Sequence, residues 1–248
     1  MKRLDFLCFE KGLADSRTKS KNLILDGRVS VNGKIVRKPS ELVNEECEIL
    51  VSRPEKEYVS RGAYKLIGAL DVFEIDIAEK NAIDIGASTG GFTQVLLERG
   101  INKVYAVDVG KGQLHSKIKE NKKVISMEET NARTLKKSDF SDEISIAVMD
   151  VSFISQTLLY GSISDILVKN GVLVSLVKPQ FEVGKANIGK GGIVKNEKLY
   201  DKVKEKIISC AKEFGLILKG YIPSPIEGGD GNKEFLAYFV NEGETHFE

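Results

Sequence analysis

The chain has 248 residues, 42% of them hydrophobic, and a formal net charge of +1, enough for a full core in one or two domains. No run of about 20 apolar residues and no signal-like leader follows Met1-Lys2-Arg3-Leu4-Asp5, so a soluble cytoplasmic chain with no membrane partner is expected. Cys8, Cys47 and Cys210 are isolated and histidine is limited to His115 and His246, which argues against a disulfide framework, a metal site and histidine acid–base chemistry.

The basic surplus lies at the front. Residues 1 to 40 hold ten lysines and arginines against four acids, which leaves the remainder of the chain at −5. Such a module on a mildly acidic body implies a polyanion-binding unit serving a second domain. Leu4 and Leu7 fall at helical spacing; Ser16 reads as the N-cap of a second helix carrying Leu23 and Ile24, and Gly27 as its stop. Val29 to Val36 reads as a hairpin turning at Asn32-Gly33. Arg17 and Lys21 are four residues apart and share a helix face; with Arg3 and Arg28 they are the expected phosphate contacts, the alternative being solvated surface charges. The polar stretch around Pro54 reads as a linker, giving domains at 1–52 and 60–248 joined by 53–59.

Beyond the linker, apolar runs at Ala82 to Ile85, Val104 to Val107, Val124 to Ser126, Ile144 to Met149 and Val172 to Val177 alternate with helical patterns. That alternation predicts a parallel sheet covered on both faces, with function at the carboxyl ends of its strands. Leu216 to Ile222 and Phe235 to Val240 are too close for an intervening helix and should pair antiparallel.

The first of these runs leads into Asp84-Ile85-Gly86-Ala87-Ser88-Thr89-Gly90-Gly91, a glycine turn before the helical pattern Phe92, Val95, Leu96. Backbone amides approach a ligand closely in such a turn. A dinucleotide fold needs glycine where Ser88 stands, and no basic residue between Asp84 and Gln94 meets phosphate charge. An acid at the strand end suits a cationic, phosphate-free ligand, and S-adenosylmethionine, with its ammonium and sulfonium, fits. Asp108 closes the next run, where an acid takes a ribose hydroxyl pair.

Charged residues hold the remaining ligand-facing places. Asp150 ends the fourth run, Lys178 ends the fifth, Glu234 begins the last strand, and Lys65 precedes the first core strand. Each alone reads equally as a helix cap or a solvated charge. As a set they suit methylation of a ribose hydroxyl, where a lysine held by carboxylates serves as a neutral base or as a cation beside developing alkoxide; both roles stay open. Between them, Gly184 to Gly192 joins glycines to Lys185 and Lys190, either to meet RNA phosphate or as a flexible surface loop.

Ser16-Arg17 with Leu23 to Gly33 resembles the alpha-L RNA-binding module, of the ribosomal protein S-four type. The chain as a whole resembles the hemolysin-A (TlyA-type) ribosomal RNA methyltransferases, whose catalytic domain is similar to the heat-shock-type (FtsJ-like) ribose 2′-O-methyltransferases. The segments that carry this are Tyr58 to Leu66, Asp84 to Phe92, Thr130 to Arg133, Asp150 to Ser155, Lys178 to Glu182 and Gly231 to Leu236. The resemblance implies a small α+β RNA-binding domain followed by an α/β Rossmann-like class I methyltransferase, its sheet mostly parallel with one antiparallel strand. It implies S-adenosylmethionine as cofactor, held by Asp84, Gly86, Ser88, Gly90, Gly91, Asp108 and Asn131. It carries Lys65, Asp150, Lys178 and Glu234 over as a catalytic tetrad: Lys178 central, Asp150 and Glu234 orienting it, Lys65 positioning the nucleotide. The implied target is a cytidine ribose in ribosomal RNA of the large subunit, with the small subunit as a second candidate. The competing reading is an inactive ribosomal RNA-binding factor. A lytic protein would need a membrane segment, a nicotinamide oxidoreductase the spacing that Ser88 breaks, and a pseudouridine synthase a catalytic domain without a cofactor loop.

Overall fold

A computed structural model describes residues 1–52, 58–228 and 231–243. Most of the expected linker, Gly229-Asp230 and His246 lie outside these residues. The chain divides into two compact units, Met1–Glu57 and Tyr58–Glu248.

In the first unit, β1 (Lys2–Arg3) leads into α1 (Leu4–Glu10) and α2 (Arg17–Leu25), followed by β2 (Val29–Val31), β3 (Lys34–Ile35), β4 (Leu42–Val43) and β5 (Ile49–Val51). The Ser16 side chain accepts from Lys19 N at 3.1 Å and caps α2. Asn32 and Gly33, at φ +49 and +79, make the tight turn between β2 and β3. Leu4, Leu7 and Cys8 of α1 pack on Ile24, Val29, Val43 and Ile49, giving the unit its own core.

The second unit opens with α3 (Gly62–Val72), then β6 (Asn81–Ile85), α4 (Gly91–Glu98), β7 (Lys103–Val107), α5 (Ser116–Lys119), β8 (Val124–Met127) and β9 (Ile144–Met149). It ends with α6 (Tyr160–Ile166), β10 (Leu167–Val177), α7 (Lys198–Glu213), β11 (Leu216–Pro223) and β12 (Phe235–Asn241). Among the described residues seven strands form one sheet, in the order β11-β12-β10-β9-β6-β7-β8. Only β12 runs against its neighbours. Alternate residues face opposite sides. Ile83, Tyr105, Ala147, Leu173 and Phe239 meet the side covered by α6 and α7, while Ala82, Val104, Ile146, Val174 and Leu236 meet α3 and α4.

One interval departs from the expected alternation. Between β8 and β9 the chain makes short 3-10 turns at Ala132–Thr134 and Lys137–Asp139 instead of an α-helix. Few apolar side chains are available there to cover a helix face. Ala132 and Leu135 plug the core directly, and Phe140 sets its ring edge-on to Tyr105 at 4.9 Å.

Register explains why the expected site residues converge. Ile85 pairs with Met149 and with Val107, Met149 with Ser175, and Val177 with Phe235. The residues just past β6, β7, β9 and β10 therefore share one edge of the sheet. Because β12 is reversed, its beginning, and Glu234 before it, arrives at that same edge.

Candidate active site

Two ion pairs stand at this edge. Lys178 Nζ lies 2.5 Å from Asp150 Oδ1, off the axis of a hydrogen bond, and donates to Ser152 Oγ at 2.8 Å. Lys65, on the first turns of α3, pairs tightly with Glu234 Oε2. The Glu234 side chain is 3% exposed and that of Asp150 23%, while the two lysines are alike at 10% and 13%, so the second pair is the more buried, through its acid. Of the two acids expected to orient Lys178, Asp150 is the one in contact with it. Glu234 pairs with Lys65, although the reversed strand also sets residue 234 opposite Lys178, just past the end of β10.

The turn after β6 is welded to the same site. Gly86 has φ +81, and a Cβ there would stand 2.4 Å from the backbone oxygen of Asp150; Asp150 N in turn donates to Ile85 O at 2.9 Å. Only glycine fits this left-handed, crowded position. A Cβ on Gly91 would meet Ser60 Oγ at 2.0 Å, so this glycine admits the segment before α3. Gly90, at φ +94, is the left-handed N-cap of α4. Ser88 N donates to Asp108 Oδ2 and Gly110 N to Asp108 Oδ1, both at 2.8 Å. Asp108 thus clamps the turns after β6 and β7 with two of its roughly four lone-pair sites. Asn131 is exposed, and its side-chain oxygen accepts from Arg133 N at 3.1 Å, capping the 3-10 turn that follows.

Asp84 is completely buried. Thr93 Oγ1 donates to its Oδ2 at 2.6 Å, while Oδ1 is buried with no hydrogen-bond partner among the described residues. Burial pushes its carboxyl up to about 7 against the Thr93 hydrogen bond, and the nearby Asp150 and Asp108 charges add to the rise. A buried, unfinished acceptor at the end of a core strand is the place for an incoming cationic donor. The ammonium of an amino acid group has that chemistry, and Asp108 retains acceptor capacity for hydroxyls, so these residues fit the expected cofactor.

Several contributors were not assigned roles from the sequence. Ser152 is one. Phe153 is another: the residue is 93% exposed and its backbone sits at φ +64, with its ring centroid 5.2 Å from that of Phe181. Nothing in the apolar periodicity distinguishes an outward phenylalanine from a core one. The segment 184–192, read as flexible or RNA-contacting, is braced. Gly189 N donates to Ile193 O at 2.7 Å, and buried Asn232 accepts from Val194 N and donates to Gly192 O. Lys185 and Lys190 remain exposed on it.

In the first unit the expected phosphate contacts are partly neutralised. Buried Asp5 takes the Arg3 guanidinium at 3.0 Å on each oxygen and Arg17 Nη2 at 3.2 Å. The Arg3 hydrogen bonds, more than the Arg17 contact, hold its carboxyl down to about 2. Both arginine side chains stay about half exposed, at 50% and 54%. Lys21 is exposed and Arg28 half-buried. Among the described residues, no three or more His, Cys, Asp or Glu side chains gather as a metal site, and no helix is long and apolar enough to cross a membrane.

Residues 58–240 match the FtsJ-like methyltransferase family, and residues 2–49 match the S4 domain. The chain is 38% identical to the 16S/23S rRNA (cytidine-2′-O)-methyltransferase TlyA of Mycobacterium tuberculosis, covering 95% of this chain and 88% of that protein. It is 41% identical to Hemolysin A of Brachyspira hyodysenteriae, over 96% and 99% of the two chains. A solved hemolysin-named protein from Streptococcus thermophilus superposes with a TM-score of 0.78 at 42% identity, over 98% of this chain and 89% of that one.

Proposed function

The chain belongs to the FtsJ-like methyltransferase family, and from that premise we propose that it transfers a methyl group from S-adenosylmethionine to the 2′-hydroxyl of a cytidine in ribosomal RNA. The observation that carries this reading is the Lys178–Asp150 pair beside the glycine turn, backed by the more buried Lys65–Glu234 pair. When bound, the cofactor supplies an electrophilic methyl group on a sulfonium. Asp84 Oδ1 and Asp108 are the acceptors for its ammonium and ribose hydroxyls, with Gly86, Ser88, Gly90, Gly91 and Asn131 shaping the surrounding turns.

An alcohol oxygen becomes a useful nucleophile only as its proton is shared or removed. Lys178 Nζ is fixed by Asp150 and Ser152, and an ammonium has three donors. A donor not taken by Ser152 is directed to the substrate oxygen, where it lowers the cost of charge developing as the methyl group moves in line and the hydroxyl proton passes to solvent water. Asp150 steadies that lysine as its countercharge. Lys65, held by Glu234, positions the nucleotide. The exposed ring of Phe153 provides a stacking face for an unstacked base. The domain of residues 1–52 supplies the basic contact through Arg3, Arg17, Lys21 and Arg28, joined by Lys185 and Lys190 of the second domain.

Transfer of labelled methyl to unmodified small subunits, large subunits and bulk transfer RNA tests the reading, with Lys178→Ala beside the native chain. We expect 2′-O-methylcytidine in ribosomal RNA, and a loss of at least ~100-fold on substitution with cofactor binding retained. Absence of transfer with RNA binding intact would replace this reading by that of a binding factor.

A further inference from the structure

The loop that carries both partners of Lys178 is held by a carboxylate outside the tetrad. Glu182 stands four residues beyond Lys178, and its side chain is 2% exposed. Its Oε2 accepts from Ser155 Oγ at 2.7 Å and from Lys206 Nζ of α7 at 2.8 Å; its Oε1 accepts from Gln156 N at 2.9 Å. Gln156, also buried, takes a hydrogen bond from Ser175 Oγ, three residues before Lys178 on β10. The chain from Asp150 to Gln156 is therefore fastened to β10 and its extension at both ends. Between the fastenings lie Ser152, which accepts from Lys178, and Phe153 at φ +64. A bulky residue in that backbone region persists only where its surroundings over-determine it.

Resting on the methyl-transfer reading above, we infer that Glu182, charge-compensated by Lys206, is a positioning residue that sets where Asp150 and Ser152 hold Lys178. Its carboxylate lies outside the group of four charged residues and acts on the reaction only through the loop. Removing one partner of a buried ion pair leaves the other charge uncompensated, and Lys206 is the cation in contact with this carboxylate. The lysine side chain is 45% exposed, so it can be exchanged without opening the core.

The test uses full-length Lys206→Met, Lys206→Arg and Glu182→Gln beside the native protein. Each is assayed for labelled methyl transfer, for equilibrium binding of S-adenosylmethionine and RNA, and for backbone hydrogen exchange at residues 150–157. We expect Lys206→Met and Glu182→Gln to lose about tenfold to a hundredfold in kcat while KM for both substrates stays within about twofold. Amides of the loop should exchange faster in both, and Lys206→Arg should restore most of the lost kcat. Unchanged kcat and unchanged loop exchange in Lys206→Met would overturn the inference. So would a loss that follows cofactor binding in proportion, which marks a general packing defect. Should the native protein transfer no methyl, the functional reading falls. Loop exchange still decides on the strut: faster exchange in Lys206→Met sustains it, and unchanged exchange removes it.

Discussion

Asp84 couples the cofactor turn to pH. With its carboxyl at about 7 in the fold and near 3.9 in an unfolded chain, the group is protonated in both states below about pH 4 and adds nothing there. Between about pH 4 and 7 the folded chain keeps a proton that the unfolded chain has lost, so stability declines as pH rises, and above 7 the full penalty is present. The urea midpoint of the native protein should fall between pH 5 and pH 8, whereas that of Asp84→Asn should change less. An ammonium reaching Oδ1 favours the ionised carboxyl, so cofactor binding should tighten from pH 6 to 7.5 with proton release, read by calorimetry in buffers of different ionisation enthalpy. A second residue-scale expectation concerns Phe153→Ala, which removes the stacking face. Transfer efficiency should drop about tenfold, in keeping with roughly 1–3 kcal/mol per stacked base, while cofactor affinity holds. Lys178, Asp150 and Glu234 were legible in the sequence because each abuts an apolar run. Which acid meets which lysine was not, since that depends on the direction of β12.

At the scale of elements, the strands of the sheet were legible to within a residue because both its faces are covered and the runs are continuously apolar, except that β10 starts at Leu167, ahead of the expected Val172, where the polar Lys169-Asn170 interrupts the run. The Asn32-Gly33 hairpin and the Ser16 cap were legible because local backbone chemistry fixes them. The interval from Glu128 to Glu143 misled, since alternation implies a helix where the side chains lack a face to bury. The bracing of 184–192 was hidden for a different reason: its anchor, Asn232, is distant in sequence. Gly86 joins two elements, because its backbone touches that of Asp150. Gly86→Ala should therefore displace the end of β9, costing roughly 2 kcal/mol or more of stability by urea titration and at least tenfold in methyl transfer.

Across the whole molecule the +6 of the first forty residues and the −5 of the remainder cancel in the formal total, yet a polyanion meets them separately. RNA affinity should fall linearly on a log–log salt plot, and each of Lys21→Glu and Lys190→Glu should flatten the slope by about 0.7 to 0.9 while leaving cofactor binding alone. The more buried pair has a further consequence, in time rather than space. Lys65 and Glu234 are separated by 169 positions. During synthesis the lysine emerges long before its carboxylate, and on refolding their contact closes one of the longest loops in the chain. Strand β12 is thus the keystone laid last: a growing chain can fold its RNA-binding domain and carry a glycine turn, yet stay chemically silent until its final strand threads between β10 and β11.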